Sequence, residues 1–141
     1  IKQINQTFTK KNGSLRGMHY QLPPYAEAKI VNCVRGEIFD VAVDLRQGSP
    51  TFLKWHAEIL SAKNRVSLLI PEGFAHGFQT LVDDCELIYF HSQYYSPEHE
   101  MGVFYGDPKL SIEWPKEISE ISERDASHNN LTDQFNGLYL K

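Results

Sequence analysis

Residues 28–52 read AKIVNCVRGEIFDVAVDLRQGSPTF, and this stretch decides the fold. Lys29 to Val34 forms one strand-like run, Arg35-Gly36 is typical of a turn, and Glu37 to Leu45 forms a second run. In the second run, Phe39, Val41, Val43 and Leu45 alternate with Ile38, Asp40, Ala42 and Asp44. Because successive side chains of a strand point to opposite faces, this pattern predicts two β-strands joined by a tight turn.

Further short runs of the same kind follow these two strands. They are WHAEIL (55–60), RVSLLI (65–70), GFAHGFQTLV (73–82), ELIYFHSQYY (86–95) and MGVFYG (101–106). Short strands separated by Gly, Pro and Asp at this spacing predict an all-β sandwich or barrel. After Trp114-Pro115 the alternation weakens, so a short helix or two and a polar tail are expected there. We expect one domain over residues 1–141.

The charge balance limits the classes of partner. The chain has 141 residues, of which 23% are charged, and its net charge is −4 with no basic block. A nucleic-acid partner would need a basic surface, so none is expected. A ligand as small as a nucleotide remains possible, because one or two well-placed arginines suffice to hold its phosphates.

The cysteines and the apolar runs bear on the compartment. Cys33 and Cys85 lie in strand-like runs and form no C-x-x-C motif, so we expect both to be small buried hydrophobes. The first residues, IKQINQTF, have no apolar signal-peptide core, and no apolar run approaches the length of a membrane span. The expectation is a cytoplasmic protein without a membrane partner.

Two histidines predict a barrel site without a metal. In metal-binding cupins an H-x-H pair on one strand is joined by a third histidine in a later P-x-G-x-x-H turn. Here PEGFAH supplies His76, but SLRGMHYQ has His19 followed by Gln21 on the same strand face. Because neutral Gln is a poor ligand for a transition metal, the pattern supports the barrel and predicts no bound metal.

Several ionisable residues interrupt the predicted strands, and each has two interpretations. Taken singly, His19 is best explained as an edge-strand histidine, Lys29 as a snorkelling edge lysine and Asp40 as an outward-facing residue. Tyr89 shares a strand face with Cys85 and Leu87. If such ionisable groups lie together inside one small barrel, their burial costs free energy unless they form ion pairs or hydrogen bonds or take part in catalysis.

Six stretches carry a specific resemblance: LRGMHYQ, AKIVNCVRGEIFDVAVDLRQGSPTF, IPEGFAHGFQTL, YYSPEHE, DPKLSIEWP and SERDA. They span most of residues 14–127, and their order and spacing are similar to those of the dTDP-4-dehydrorhamnose 3,5-epimerase family. The resemblance implies a cupin-like jelly-roll β-barrel with short C-terminal helical segments. It also implies a cofactor-free epimerase that inverts C3, C5 or both of a nucleotide-linked 4-keto-6-deoxyhexose, with a dTDP-linked sugar expected.

The resemblance assigns four catalytic residues. His19 matches the base, Asp125 the carboxylate that orients it, and Tyr89 the acid that returns a proton on the opposite face. Lys29 matches a group near the keto oxygen. The chemistry suits these residue types, since a carboxylate-held histidine is a base of near-neutral pKa and a lysine can stabilise enolate charge.

Seven further residues are expected to bind the substrate. Arg16 matches a phosphate-contacting arginine, and Tyr95 resembles an aromatic residue that lies against the nucleotide base. The others are Gln3 and Asn5 of the Q-x-N segment for the nucleotide, Gln21 beside His19, His76 near the keto oxygen, and Asp40 as the partner of His76.

Three points stay open at this stage. Ser122-Glu123-Arg124-Asp125 also fits a capping box, in which Asp125 would only fix a helix start. The alternatives in function are a single-carbon epimerase, a ketoisomerase of a related nucleotide sugar, and a non-catalytic sugar-nucleotide-binding barrel. We expect a homodimer. Full-length members carry a few tens of residues before the Q-x-N segment that help form the dimer and the pocket, so whether either feature is altered here stays open.

Overall fold

Nine strands and one short helix make up the regular structure of the computed structural model, which describes residues 1–140. The strands are β1 (Gln3–Thr9), β2 (Leu15–Gln21), β3 (Lys29–Arg35), β4 (Glu37–Asp44), β5 (Trp55–Ser61), β6 (Ser67–Ile70), β7 (Phe74–Thr80), β8 (Cys85–His91) and β9 (Glu100–Gly102), and the helix is α1 (Glu123–Ala126). Every predicted strand is present, although MGVFYG contributes only its first two residues. β1 was not predicted.

The turn at Gly36 separates two sheets and does not form a hairpin. β3 belongs to a four-stranded sheet of order β1-β8-β3-β6, and β4 belongs to a five-stranded sheet of order β5-β4-β7-β2-β9. Gly36 has φ +84, and a Cβ there would lie 2.7 Å from Cys85 Sγ. Only glycine fits this left-handed, crowded position, so this residue lets the chain pass from one sheet to the other.

The register of the four-stranded sheet aligns one polar row on its inner face. Gln3 of β1 lies opposite His91 of β8, which lies opposite Lys29 of β3. In the five-stranded sheet, His19 of β2 lies opposite His76 of β7. All of these pairings are antiparallel. The two sheets therefore each present ionisable side chains at corresponding depths of the sandwich.

β4 is buried on both faces. Ile38 and Ala42 pack between the sheets, whereas Val41 and Val43 pack on the other side, in a second apolar cluster with Met18. The prediction of alternation was right, but the interpretation of Asp40 as an outward-facing residue was wrong. Asp40 is fully buried because its strand lies inside the sandwich and the opposite face is covered as well.

The cover over that second face is the C-terminal part of the chain. Residues 103–140 run mostly without regular structure across the five-stranded sheet, and Val103, Leu110 and Leu138 join its outer apolar cluster. Isolated bridges, Ser14 with Glu120 and Arg46 with Leu138, attach this segment to the sheet. Within residues 1–140 its only helix is α1, so the expected helical content is met by a single turn.

Two further expectations concern the cysteines and membrane spans. Cys33 and Cys85 are free and buried, as predicted. Among the described residues, no helix has both the length and the apolar character needed to cross a membrane.

Candidate active site

A cavity of about 330 Å³ opens between the two sheets. Both sheets line it, and eight of the eleven predicted site residues contribute to its wall: Gln3, Asn5, Arg16, His19, Lys29, His76, Tyr89 and Tyr95. The other three are Gln21, Asp40 and Asp125, and they lie behind the wall. The cavity therefore brings together residues that are separated by more than 90 positions in the chain.

His19 is held by a carboxylate that arrives from α1. His19 Nε2 lies 2.6 Å from Asp125 Oδ1, and the second oxygen of Asp125 accepts the backbone N–H of Gly17 at 3.1 Å. Burial alone would raise the pKa of Asp125, but the hydrogen bonds from His19, Gly17 and His128 outweigh it and lower this pKa to about 2. No group within residues 1–140 hydrogen-bonds His19 Nδ1. That nitrogen is free for a ligand.

Half of the capping box is also present. Ser122 is the N-cap of α1, and its Oγ accepts the backbone N–H of Asp125 at 3.0 Å. The Asp125 carboxylate does not complete the box, because it faces Gly17 and His19. The capping pattern and the histidine contact therefore coexist, and Ser122 fixes the turn that aims Asp125 at His19.

A second histidine–carboxylate pair lies deeper. His76 Nε2 is 2.6 Å from Asp40 Oδ1, and both side chains are almost fully buried. Burial lowers the pKa of His76, and the negative charge of Asp40 opposes this shift only in part. We infer a neutral ring that donates Nε2–H to Asp40, so Nδ1 is left as an acceptor.

Lys29 places an ammonium group in the cavity wall, which rules out the exposed, snorkelling interpretation. Its side chain makes no ion pair at 4 Å or less with any carboxylate of the described chain. Burial lowers the pKa of Lys29, whereas the charges of Glu27, Glu100 and Asp40 raise it. Burial has the larger effect, so the net pKa of Lys29 is lowered, and its nitrogen faces the cavity, where it is available to a ligand.

Tyr89 faces the cavity from the sheet opposite His19. Its ring meets His76 edge-on, with centroids 6.1 Å apart, and lies nearly parallel to His91 at 5.9 Å. Burial raises the pKa of Tyr89, so the phenol keeps its proton near neutral pH. A ligand between the sheets would have a histidine on one side and a protonated phenol on the other.

The Q-x-N segment and the aromatic loop are joined to each other. Gln3 Oε1 accepts the backbone N–H of Tyr95 at 2.8 Å, and Gln3 Nε2 donates to Asn5 Oδ1 at 3.1 Å. The Tyr95 hydroxyl donates to Glu100 at 3.2 Å. Arg16 lines the cavity beside this group. Amide, aromatic and guanidinium groups thus lie together at the mouth, which suits a nucleotide diphosphate.

Gln21 does not line the cavity, so the structure does not bring it together with the other residues predicted to bind substrate. Its Nε2 donates to the carbonyls of Tyr25 at 2.8 Å and Tyr94 at 3.2 Å, and its Oε1 accepts the N–H of Ser96 at 2.8 Å. All of the strong hydrogen-bonding capacity of the amide is used by backbone groups. Gln21 therefore fixes the loop that carries Tyr95.

Sequence reasoning missed four further groups in the wall. Glu27 Oε1 lies 2.6 Å from His91 Nδ1, and both residues line the cavity, as do Glu100 and Arg124, which form an ion pair. The period of two could have found His91, because it follows Tyr89 on the same face of β8. The sequence around Glu27, Glu100 and Arg124 does not identify them as site residues, because their partners lie far away in the sequence.

The chain is similar in sequence to known proteins. The sequence model of the family described as dTDP-4-dehydrorhamnose 3,5-epimerase matches residues 1–133. The dTDP-4-dehydrorhamnose 3,5-epimerase of Shigella flexneri is 50% identical over 121 residues, which cover 86% of this chain and 67% of that protein. The chain spans about two thirds of the length of three curated relatives that it matches.

Two solved structures are similar in fold as well. The dTDP-6-deoxy-D-glucose-3,5-epimerase of Legionella pneumophila, in complex with dTDP-4-keto-L-rhamnose, has a TM-score of 0.90 and 41% identity; the match covers 99% of this chain and 74% of that one. A 3'-monoepimerase of Streptomyces bikiniensis, in complex with dTDP-quinovose, has a TM-score of 0.84 and 38% identity, with coverages of 91% and 65%. The prediction of a cupin-like jelly roll is confirmed.

Proposed function

This chain belongs to the dTDP-4-dehydrorhamnose 3,5-epimerase family of isomerases, and on that premise we propose that it inverts C3, C5 or both of a nucleotide-linked 4-keto-6-deoxyhexose. One observation carries the proposal. The Asp125-bound His19 and the protonated Tyr89 face one cavity from opposite sheets. Inversion at carbon needs a proton to leave on one face and return on the other, and this placement supplies both groups.

His19 acts first, as the base. Its Nε2–H donates to Asp125, so the lone pair on Nδ1 can take the proton from the carbon beside the ketone. Asp125 keeps this tautomer and stabilises the imidazolium that forms. The low pKa of Asp125 keeps the carboxylate charged throughout the neutral range.

Lys29 stabilises the enolate. Removal of the proton leaves negative charge on the keto oxygen, and a nearby ammonium group lowers the energy of that charge most where water is excluded. His76 offers only an acceptor nitrogen toward the cavity, so we assign it to a sugar hydroxyl beside the ketone. The expectation from the sequence was that Lys29 and His76 both lie near the keto oxygen. In this proposal Lys29 keeps that role and His76 binds the neighbouring hydroxyl.

Tyr89 then returns a proton to the opposite face of the carbon. The phenol is the protonated form near neutral pH, as an acid in this role must be. Its phenolate would form in the field of the Arg16 guanidinium, which offsets part of the cost of the buried charge.

The nucleotide lies at the mouth of the cavity. In this proposal Arg16 binds the diphosphate and Tyr95 lies against the base, with Gln3 and Asn5 beside it; the support is that all four line one cavity and that Gln3 accepts the N–H of Tyr95. The related Legionella and Streptomyces structures hold dTDP-linked sugars, which supports a dTDP-linked substrate here. The proposed chemistry uses protein side chains alone. Gln21 supports this, because it occupies the position of a cupin histidine ligand and its amide is bound to the backbone.

Proton exchange tests the proposal directly. The protein is incubated with dTDP-4-keto-6-deoxyglucose in deuterated water, and the sugar protons are followed by NMR. Loss of the signals at C3 and C5 is expected for the double epimerase. His19→Ala should abolish exchange and retain binding of the dTDP group, since His19 lies on the sugar side. Exchange that persists in His19→Ala would refute the base assignment.

The same experiment separates the remaining functions. Exchange at one carbon selects a single-carbon epimerase, an alternative that the similarity to the Streptomyces bikiniensis 3'-monoepimerase favours. A ketoisomerase would instead yield a product with its carbonyl at another carbon, visible by carbon NMR. A binding barrel would leave both signals at the level of a buffer control.

We also propose a homodimer and a cytoplasmic location. One row of apolar side chains crosses the outer face of the four-stranded sheet: Ile4, Phe90, Ile30 and Leu69. Ile4 and Leu69 are more than 60% exposed, and a second copy of the sheet would bury them. The free buried cysteines, Cys33 and Cys85, suit a reducing compartment.

A further inference from the structure

A third side chain converges on the His19–Asp125 pair. His128 Nε2 lies 3.2 Å from the same Asp125 oxygen that His19 Nε2 approaches at 2.6 Å. The donor atoms of the three residues all lie within 4.8 Å of one another. Two imidazole nitrogens and one carboxylate oxygen thus meet at a point behind the wall of the cavity.

The ring of His128 is held in place by its packing against β9. Its ring lies directly against the backbone of Gly102, where a Cβ would come within 2.2 Å of the ring. Gly102 is the residue of β9 that pairs with His19 of β2. The two histidine rings are therefore held across one strand pair, with centroids 5.8 Å apart and planes at 83°.

This donor set suits a divalent transition metal. Zn²⁺ prefers imidazole and carboxylate ligands at roughly 2.0–2.2 Å, which places donor atoms roughly 3 to 3.5 Å apart in a tetrahedron. The separations of 2.6 and 3.2 Å from Asp125 Oδ1 lie within about 1 Å of that range, and the two histidine nitrogens lie within 4.8 Å of each other. Asp125 is buried, and its Oδ1 is the atom that the Nε2 atoms of both histidines approach.

We propose that His19, Asp125 and His128 bind Zn²⁺ or a similar divalent ion, and that the bound ion inhibits the enzyme. The site differs from the usual cupin site, since it uses the C-terminal His128 and neither Gln21 nor His76. Its fourth coordination position is left for water.

The inhibition follows from the tautomer of His19 and rests on the proposed function. In the free protein the ring hydrogen is on Nε2, and the lone pair on Nδ1 is the base. A metal on Nε2 needs that lone pair instead, so the single hydrogen of the neutral ring must move to Nδ1. The ring then has no lone pair toward the substrate, and its carboxylate partner is bound to the metal.

Metal binding is tested first, without reference to activity. Chelator-treated protein is titrated with Zn²⁺ by calorimetry, and with Co²⁺ by visible absorption. One ion per chain is expected, with the intense Co²⁺ bands of a four-coordinate site. His128→Gln and Gly102→Ala, which displaces the ring, should each weaken binding at least roughly tenfold. His56→Gln is the matched control, because His56 is exposed on β5, and it should bind like the wild type.

The effect on the reaction is measured separately. Zn²⁺ should suppress deuterium exchange in the wild type over the concentration range in which it binds, and a chelator should restore it. In His128→Gln the inhibiting concentration should rise in step with the weaker binding. Each variant is compared with its own metal-free rate, so any change in basal rate cancels.

The outcomes distinguish the two proposals. Stoichiometric binding that depends on His128, in a protein without exchange activity, would support the metal site and contradict the epimerase. Exchange that bound Zn²⁺ leaves unaffected would overturn the inhibition, and equal binding by wild type and His128→Gln would overturn the metal site; both results leave the epimerase standing.

Discussion

Lys29 is the residue whose charge depends most on its neighbours. It lies in a buried wall, where burial favours its neutral form and lowers its pKa, whereas three carboxylates favour the charged form and oppose this shift. Glu27 is the strongest of the three, followed by Glu100 and Asp40. If Lys29 stabilises the enolate, the reaction needs its ammonium form, and the carboxylates set the pH at which this form is lost.

Replacement of Glu27 should change the pH at which Lys29 loses its ammonium form. Glu27→Gln removes the largest favourable charge, so the pKa of Lys29 falls further and the ammonium form is lost at a lower pH. The alkaline limb of kcat/KM against pH should therefore shift to lower pH. Glu72→Gln, at an exposed position outside the cavity wall, should leave the profile unchanged. A limb that stays in place or moves upward in Glu27→Gln would contradict the role of Lys29.

Tyr89 has a separable effect on the two proton transfers. Tyr89→Phe keeps the ring that packs against His76 and His91 and removes only the hydroxyl. Proton loss to His19 should continue, whereas net inversion should fall by roughly 10²–10⁴-fold, the usual worth of a general acid. NMR measures both in one sample, as deuterium exchange with retention and with inversion. Equal losses of the two would count against the acid assignment.

At the scale of elements, the Gln21 side chain connects β2 to two loops. Three backbone groups depend on it: the carbonyls of Tyr25 and Tyr94 and the N–H of Ser96. Because Tyr95 lies between the last two, the position of the proposed base-stacking ring depends on a residue that touches no ligand. Gln21 is thus a positioning residue.

Loss of this connection should weaken substrate binding more than chemistry. Gln21→Leu leaves backbone groups unpaired, at about 1–3 kcal/mol each when buried, and loosens the loop that carries Tyr95. We expect KM for the nucleotide sugar to rise about tenfold, with kcat within about threefold of wild type, by steady-state kinetics. Gln47→Leu, at an exposed site, is the control. A fall in kcat at constant KM would refute the positioning role.

Alternation of apolar and polar residues predicts most of the strands but misses β1. The difference lies in what the inner face of each strand contacts. β4 is evident because both faces meet apolar side chains. β1 escapes detection because its inner residues, Gln3 and Asn5, face the cavity, so QINQTFT carries polar residues where a core strand has apolar ones. Strands that line a polar cavity lose the pattern by which strands are recognised.

The site was predictable only in part, for a similar reason. Local patterns marked His19, His76 and Tyr89 as unusual, but the pairing of His19 with Asp125 spans 106 positions and came from family resemblance alone. The use of Gln21 by three loop groups and the contact of Glu27 with His91 depend on tertiary structure. Neither leaves a trace in residue spacing.

At the scale of the whole molecule, the outer face of the four-stranded sheet predicts the assembly. The wild type should be a dimer in sedimentation equilibrium at micromolar concentration. Ile4→Glu with Leu69→Glu places charges at both ends of the exposed apolar row and should give monomers. Ile59→Glu, on the other sheet and also exposed, should stay dimeric. A monomeric wild type, or a double variant that still dimerises, would exclude this interface.

The late position of Asp125 in the chain has a consequence for synthesis. All nine strands, with the groups proposed to hold the nucleotide, precede residue 103, whereas the carboxylate that serves His19 follows some twenty residues later. A ribosome therefore completes all of these strands before it adds Asp125. A product of premature termination between these points would also lack most of the segment that covers the outer apolar cluster of the five-stranded sheet, and so would aggregate where the finished chain folds.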